Sequence, residues 1–269
     1  MTLSRLGLIA GNGSYPVEVA LGARRRGIKT VAIAHQDETL PELEALCEET
    51  TWIKVGEIQK ILDVLKRAEI KTAAMAGGVS RTRLRDSIAP DARAIAMLVK
   101  IGKNSDDAVL RGVAGEIEAE GIEVIDPIYL IDRALAEPGR MAGPDPTSAQ
   151  LKDLALAFDV ARALGRFDIG QAVAVRDGVV AAIEAVEGTD AALRRAAAVQ
   201  GKRVVVGKVA KPGQDLRFDR PAIGPRTIEL LHEIDAAMIG IEAGTTMILE
   251  RERTLGLAES REITVFGYA

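Results

Sequence analysis

The first 34 residues alternate between apolar runs and a helical pattern, and this alternation constrains the fold more strongly than any other feature of the chain. Residues 6–10 are a short apolar run that ends in the glycine-rich stretch 11–16. Apolar residues then recur at helical spacing up to Gly27, and residues 30–34 form a second apolar run. Strand, helix and strand in this order make a βαβ unit. The pattern therefore predicts a parallel sheet with helices on its faces.

The turn after the first strand has the composition of an anion-binding site. Gly11 and Gly13 let the backbone approach a ligand closely, and Pro16 suits the first position of a helix because its missing N–H would have no partner there. The match to the dinucleotide fingerprint is incomplete, since Pro16 stands in place of the third glycine and no acid ends the second strand. We predict that Gly11, Asn12, Gly13 and Ser14 bind a phosphate or nucleotide part of a substrate. A turn without a ligand and an NAD site remain the alternatives.

A second glycine turn follows the predicted strand at residues 71–76. It begins with Gly77 and continues through Ser80 and Arg81. Open parallel sheets bind their ligands at the carboxyl ends of the strands. We therefore predict that Gly77, Ser80 and Arg81 bind the substrate, with a solvated basic surface as the alternative.

Proline and glycine are concentrated at residues 136–147, a composition typical of a linker. We predict an N-terminal Rossmann-like domain at residues 1–135 and a C-terminal catalytic domain at residues 148–269, joined by this linker. In the second half, Asp177 and Gly178 lie between two apolar runs, which predicts a hairpin of antiparallel strands. The predicted fold class is therefore α/β, with a parallel sheet in the first domain and an α+β arrangement with a mixed sheet in the second.

The composition narrows the class of protein. Hydrophobic residues make up 48% of the chain, which excludes a disordered protein. The net charge of −4 gives no basic footprint, so we expect no nucleic-acid partner. Cys47 is the single cysteine, which indicates a reducing compartment. Because no apolar run reaches the roughly 18 residues of a membrane span, we expect a cytoplasmic protein.

The densest group of charged residues occupies residues 208–221, directly after a predicted buried strand. Lysines, arginines and aspartates surround a turn at Pro212 and Gly213. A second acidic group contains Glu184, which falls inside an apolar run and therefore needs a partner. Carboxylates that hold a metal or orient water, beside cations that neutralise phosphoryl oxygens, suit magnesium-assisted attack on a phosphate. A surface network of ion pairs is the alternative.

Six segments of the chain form a recognisable set: GLIAGNG at 7–13, AGGVSR at 76–81, GIEVIDP at 121–127, DIGQA at 168–172, EGTDA at 187–191 and KVAKPGQDLRFD at 208–219. In this order, and along nearly the whole chain, they resemble the LpxI family of UDP-2,3-diacylglucosamine pyrophosphatases. The segments of the second half are more specific than the glycine turns of the first.

The resemblance implies an enzyme of lipid A biosynthesis in a Gram-negative bacterium. It would hydrolyse the pyrophosphate bond of UDP-2,3-diacylglucosamine to UMP and 2,3-diacylglucosamine 1-phosphate, lipid X, with Mg²⁺ or another divalent cation as cofactor. The substrate would lie in a cleft between the two domains. Because this substrate is a UDP-linked diacylated sugar lipid, we also expect peripheral contact with the inner face of the inner membrane. The oligomeric state is left open, with a homo-oligomer as one expectation.

The resemblance also implies roles for individual residues. Asp215 is the expected catalytic carboxylate, Asp219 is the competing position, and Arg217 completes the catalytic set. The expected metal ligands are Asp215, Glu187 and Asp190. The other residues of the second half that are expected to bind the substrate are Gln171, Thr189, Lys208, Lys211 and Gln214.

Two other classes of function remain open. A non-catalytic nucleotide-binding or regulatory protein would use the same residues to bind a phosphorylated ligand and to form salt bridges. An NAD-dependent oxidoreductase would depend on Gly11 and Gly13. Release of UMP from the UDP-linked lipid separates hydrolysis from both.

Overall fold

The computed structural model describes residues 3–79, 89–102, 106–167 and 169–269. Contacts between residues divide the chain into two compact units. The first unit comprises Met1–Asp132 together with Asp215–Asp219, and the second comprises Arg133–Gln214 and Arg220–Ala269. A short piece of the charged stretch at residues 208–221 therefore belongs to the first unit, although the residues on either side of it belong to the second.

The first unit is built on parallel strands. They are β1 (Arg5–Ala10), β2 (Lys29–His35), β3 (Glu49–Ile53), β4 (Thr72–Ala76) and β5 (Glu123–Ile125). Their order in the sheet is β3-β2-β1-β4-β5, and every neighbouring pair is parallel. This confirms the parallel sheet that the opening βαβ pattern predicts. Strand β3 has no clear signal in the sequence, because Glu-Thr-Thr-Trp-Ile is neither an apolar run nor a clear alternation.

Helices cover this sheet. Those in the described residues are α1 (Tyr15–Arg25), α2 (Ile58–Arg67), α3 (Ala92–Ile101) and α4 (Asp106–Ala119), with short 3₁₀ helices at Pro41–Leu46 and Pro127–Leu130. The apolar face of α2 is buried, and its Leu62 and Leu65 belong to the same core cluster as Ile33 of β2.

The strand order reverses beside β1. Strands β2 and β3 lie on one side of it, and β4 and β5 lie on the other. The carboxyl ends of β1 and β4 therefore flank a topological switch point, the place where open α/β sheets bind their ligands. Both predicted glycine turns follow these two strands, so the topology brings them to one edge of the sheet.

The second unit contains a mixed sheet and a two-stranded sheet. Its strands are β6 (Gly139–Ala142), β7 (Ala172–Arg176), β8 (Val179–Ile183), β9 (Val205–Lys208), β10 (Ala222–Ile223), β11 (Met238–Glu242), β12 (Met247–Ile248) and β13 (Thr264–Tyr268). Its helices are α5 (Ser148–Gly165), α6 (Thr189–Gln200), α7 (Pro225–Glu233) and α8 (Arg251–Ser260). The mixed sheet has the order β6-β13-β11-β9-β7-β8, and β10 pairs with β12. The mixed sheet predicted for the second half is confirmed.

Two features of the second unit test the local sequence patterns. The hairpin between β7 and β8 forms as predicted, with Asp177 and Gly178 both at positive φ (51° and 77°), as a tight hairpin turn requires. The expected linker at residues 136–147 is not irregular throughout, because it contains β6, which pairs antiparallel with β13. Gly139, the first residue of β6, and Gly143, directly after its end, both have positive φ, which explains why a strand there has the glycine content of a linker.

The described part of the chain contains no helix that is both long and apolar enough to cross a membrane.

Candidate functional site

The two glycine turns of the first unit are in direct contact. Gly11 N–H donates to the Ala76 carbonyl (2.8 Å), and Asn12 N–H donates to the Gly78 carbonyl (2.7 Å). A β-carbon on Gly11 would lie 2.2 Å from the Gly78 oxygen, and one on Gly77 would lie 2.4 Å from the Asn12 oxygen. Side chains at these two positions are therefore excluded by backbone contact, which explains why the sequence has glycine there.

The helix that follows the first turn starts without a side-chain cap. Ser14 occupies the N-cap position, but its side chain makes no hydrogen bond to the backbone of α1, and its hydroxyl donates to the Glu18 carboxylate at 3.5 Å. The expectation that Ser14 contributes to an anion site at this helix end stays a prediction. Ser80 and Arg81, also predicted to bind the substrate, lie outside the described residues.

A short segment after β2 is anchored to the end of β1. The Ala10 carbonyl accepts hydrogen bonds from Thr39 Oγ1 (2.6 Å) and from His35 Nδ1 (2.9 Å). Burial lowers the pKa of His35, so the ring is neutral with its proton on Nδ1, facing the carbonyl. Between them in sequence, Glu38 accepts a hydrogen bond from the Asn12 side-chain amide at 3.0 Å. This connects the end of β2 with the glycine turn after β1.

A polar cluster of the second unit surrounds Glu184, at the end of β8. Its carboxylate is buried and accepts hydrogen bonds from the Thr189 hydroxyl (2.8 Å) and the Gln171 backbone N–H (3.2 Å). The partner that Glu184 requires is thus present. The buried Oε1 of Gln171 itself has no hydrogen-bond partner among the described residues, so it is an acceptor available to a ligand.

Lys208 lies at the end of β9, beside this cluster. Its Nζ donates to the Ala222 carbonyl at 2.9 Å. Burial lowers the pKa of Lys208, while the negative charges of Glu184 and Asp190 oppose that shift. The antiparallel pairing of β7 with β9 places Ala172 opposite Lys208, which explains why Gln171 and Lys208 come to the same edge of the sheet.

The acidic residues at the start of α6 are paired with arginines. Glu187 forms an ion pair with Arg195 (2.7 Å), and Asp190 lies 3.8 Å from Arg226. Hydrogen bonds to its own backbone N–H and to Arg195 lower the pKa of Glu187. Both residues are therefore members of ion pairs on the surface of this unit.

The predicted turn after β9 forms. Gly213 has a φ of 79°, and the Gln214 backbone N–H donates to the Lys211 carbonyl (3.1 Å). The side-chain oxygen of Gln214 accepts from the Lys211 backbone N–H at 3.0 Å. The Gln214 amide thus closes its own turn, and Lys211 is held at the start of it.

The next five residues, Asp215–Asp219, form an inserted loop: they belong to the first unit, whereas the residues before and after them belong to the second. Arg217 donates to both carboxylate oxygens of Asp215, with distances of 2.8 to 3.2 Å. This pairing lowers the pKa of Asp215 and raises that of Arg217. The inserted loop therefore contains an internal ion pair whose carboxylate has no unoccupied oxygen.

Residues of α4 and β5 hold the inserted loop in the first unit. The guanidinium of Arg217 also donates to Glu118 (2.8 Å) and to the Val124 carbonyl (3.2 Å), and the Asp215 backbone N–H donates to Asp107 (3.3 Å). Phe218 is buried in the hydrophobic core of the unit. Sequence analysis missed Glu118 and Asp107 as partners of the loop, and no local pattern indicates them because about a hundred residues separate the two segments.

The expected metal ligands are distributed over the two units. In the parts of the chain that the structure describes, no group of three or more histidine, cysteine or carboxylate side chains is arranged to hold a metal ion. Asp215 belongs to the first unit, whereas Glu187 and Asp190 belong to the second, and each is close to an arginine. Neither unit by itself brings the three carboxylates together, and their role as metal ligands stays a prediction.

The predicted site residues thus fall into two sets. The first unit brings together Gly11, Asn12, Gly13 and Gly77 at the switch point, and it also contains Asp215, Arg217 and Asp219. The second unit brings together Gln171, Thr189 and Lys208 around Glu184, with Lys211 and Gln214 in the turn that follows.

These features define the class of protein. It is an α/β protein with a Rossmann-like parallel sheet in one unit and a mixed sheet in the other, and it carries polar groups at strand ends in both. The family model of the LpxI N-terminal domain matches residues 5–133, and that of the LpxI C-terminal domain matches residues 137–266. The chain belongs to the LpxI family.

One relative matches over the full length. The UDP-2,3-diacylglucosamine pyrophosphatase LpxI of Caulobacter vibrioides is 34% identical over 276 aligned positions, which cover 98% of each chain. The likeness to the following solved structure is much lower. The biotin carboxylase domain of Hydrogenobacter thermophilus 2-oxoglutarate carboxylase is 16% identical with a TM-score of 0.30, and the match covers 66% of this chain and 36% of that one. Such a low score indicates neither a shared architecture nor a function.

Proposed function

We propose that this chain hydrolyses the pyrophosphate bond of UDP-2,3-diacylglucosamine and releases UMP and 2,3-diacylglucosamine 1-phosphate. The observation that carries the proposal is the full-length match: both LpxI domains align in order, and a UDP-2,3-diacylglucosamine pyrophosphatase is 34% identical over 98% of each chain. The reaction would be a step of lipid A biosynthesis on the cytoplasmic side of the inner membrane.

The reaction adds one water to a phosphoanhydride. The water oxygen bonds to one phosphorus, the bridging P–O bond breaks, and the bridging oxygen leaves with the other phosphate. A carboxylate that orients the water and accepts its proton assists the attack, and cations stabilise the charge on the phosphoryl oxygens. We give the second task to Lys208 and Lys211, which lie at the end of β9 and in the turn after it.

The carboxylate that orients the water is Asp219 in this proposal. Both oxygens of Asp215 already accept hydrogen bonds from Arg217, and the lowered pKa of Asp215 makes it a weak base. Asp215 and Arg217 act as positioning residues, because their bonds to Glu118 and Asp107 fix the inserted loop that carries Asp219.

Single replacements by asparagine distinguish the two aspartates. Asp219→Asn should lower kcat by about 10²- to 10⁴-fold, the usual contribution of a general base, with little change in KM. Asp215→Asn should lower kcat by no more than about tenfold, because Arg217 keeps its bonds to Glu118 and Val124. Asp145→Asn, at a highly exposed aspartate of the second unit, is the control and should leave kcat unchanged. A larger loss for Asp215→Asn than for Asp219→Asn would return the catalytic role to Asp215.

The activity itself is tested by incubating the purified chain with UDP-2,3-diacylglucosamine and Mg²⁺ and measuring UMP by chromatography. Absence of UMP release would refute the proposed hydrolysis, and reduction of NAD in the presence of a substrate would favour an oxidoreductase.

We also propose that the reaction depends on a divalent cation. The chemical support is general, since divalent cations stabilise the charge that develops in phosphoryl transfer. EDTA should therefore abolish UMP release, and added Mg²⁺ should restore it. An unchanged rate in EDTA would contradict the dependence and would agree with the arginine pairing of Asp215, Glu187 and Asp190.

We further propose peripheral contact with the membrane that supplies the acylated substrate. One face of α3 exposes three apolar side chains, Ile95 (52%), Leu98 (37%) and Val99 (77%), at i, i+3 and i+4 spacing. Replacing Ile95 and Val99 by serine should weaken co-sedimentation with lipid vesicles while leaving the fold intact. Equal co-sedimentation of the wild type and the variant would remove α3 from this role.

A further inference from the structure

Glu38 lies beside the glycine turns of the first unit, and none of the roles described so far uses it. We propose that the Glu38 carboxylate binds a ribose hydroxyl of the nucleotide part of the substrate, so that the first unit holds the nucleoside monophosphate half. The choice of a uridine nucleotide rests on the proposed function, whereas the placement of a ribose rests on the fold.

The first argument is the place of Glu38 in the sheet. In nucleotide-binding sheets of this topology, an acid after the second strand accepts hydrogen bonds from ribose hydroxyls, beside the glycine turn after the first strand. The strand β2 ends at His35, and no acid follows it directly. The chain then turns through Asp37, whose φ is 64°, and brings Glu38 back to Asn12 in the glycine turn.

The second argument is rigidity. The segment that carries Glu38 begins and ends with residues bonded to the Ala10 carbonyl, through His35 Nδ1 and Thr39 Oγ1, and the His35 backbone N–H also donates to Thr39 Oγ1 at 3.0 Å. Two hydrogen bonds join the turn that contains Asn12 to the turn after β4. The carboxylate is therefore held in place on a rigid support, as recognition of a small polar group requires.

The third argument is burial. Glu38 is only 7% exposed, although glutamate is rarely so covered in proteins. A carboxylate that is shielded from water at the carboxyl edge of a parallel sheet is a strong acceptor for a hydroxyl group. In a nucleotide the ribose adjoins the 5′-phosphate, so an acceptor for ribose next to the predicted phosphate-binding turn fits one nucleoside phosphate.

The test compares UMP with 2′-deoxy-UMP and 3′-deoxy-UMP by isothermal titration calorimetry. The wild-type chain should bind UMP about 10- to 100-fold more tightly than at least one of the two analogues, which is the usual effect of one hydrogen bond to a charged group. Equal affinity for all three nucleotides would overturn the proposal without any variant.

A replacement of Glu38 then separates recognition from a purely structural role. Glu38→Gln should weaken the binding of UMP and leave the affinity for the discriminating analogue nearly unchanged. The preference for UMP should then fall to about threefold or less. If the variant instead weakened the binding of every nucleotide equally, Glu38 would only support the turn, and the proposal would be refuted. Glu42→Gln, at an exposed glutamate of the next 3₁₀ helix, is the matched control and should retain the full preference.

Failure of this inference is distinguishable from failure of the proposed function. Hydrolysis of UDP-2,3-diacylglucosamine without discrimination between UMP and the deoxy analogues would refute the ribose site alone. Discrimination without hydrolysis would support the ribose site in a protein that only binds nucleotides.

Discussion

The two glycine turns of the first unit are in contact, and the substitution Gly11→Ala tests how much this contact stabilises the unit. The added β-carbon would lie 2.2 Å from the Gly78 oxygen and 2.8 Å from the Gly77 carbonyl carbon, and both contacts are with backbone that no side-chain rotation can relieve. The turns must therefore separate, and the hydrogen bonds from Gly11 to Ala76 and from Asn12 to Gly78 must lengthen or break. At about 0.5–1.5 kcal/mol for each bond, and with some residual strain, we expect the free energy of unfolding of this unit to fall by about 2–4 kcal/mol.

Trp52 provides a selective assay, because it is the only tryptophan of the chain and lies in β3 of the first unit. Urea unfolding followed by its fluorescence should show a midpoint about 1–2 M lower for Gly11→Ala than for the wild type, given a slope of about 2 kcal/mol per M. Gly115→Ala is the control, because a β-carbon at Gly115 of α4 meets nothing within 4 Å and alanine favours a helix by about 1 kcal/mol. An unchanged urea midpoint for Gly11→Ala would refute the reasoning. So would a decrease of the midpoint for Gly115→Ala that is as large as the decrease for Gly11→Ala.

Further predictions concern single side chains. Phe218→Ala removes a core side chain and should lower the free energy of unfolding of the first unit by about 3 kcal/mol, measured in the same fluorescence assay. A decrease below about 1 kcal/mol would mean that Phe218 does not anchor the inserted loop in this core. Glu184→Ala should raise KM for the UDP-linked lipid by about tenfold in steady-state assays, because two donors lose their acceptor; an unchanged KM would separate this cluster from the substrate. The pKa of Asp215 is lowered in the folded chain, so its contribution to stability is complete above the ordinary value of about 4 and is lost as the pH falls through the folded value. Asp215→Asn should therefore be less stable than the wild type at pH 7 and equally stable in strong acid, and a difference independent of pH would contradict the ion pair. Burial raises the pKa of Cys47 to about 11, so iodoacetamide at pH 8 should modify it on the order of a hundred times more slowly than a free cysteine; an equal rate would contradict the burial.

The parts of the fold that depend on neighbours in sequence are predictable from the sequence. The opening βαβ unit, the hairpin at Asp177 and Gly178 and the turn at Gly213 all form, because φ preferences and apolar spacing act over a few residues. The linker shows the limit of such reasoning. Glycine and proline mark where the chain bends, but they do not reveal that β13 accepts β6 as a partner from more than a hundred residues away.

The candidate site shows the same limit more sharply. The sequence groups Asp215, Arg217 and Asp219 with the second half of the chain, because they follow β9 directly. In the structure they pack in the first unit, since Phe218 enters its hydrophobic core and Arg217 reaches Glu118. A charge cluster in sequence does not reveal which carboxylate is already occupied by an arginine.

The sequence by itself determined the family, the parallel sheet and the glycine turns, because these are encoded in contiguous motifs and in local apolar patterns. Only the tertiary structure decided which side chains meet. The strand order brings the turn at Gly11 against the turn at Gly77 and brings Glu38 to Asn12, and neither contact has a signal in the intervening sequence. Such pairings follow from the packing of strands and helices that are distant in the chain.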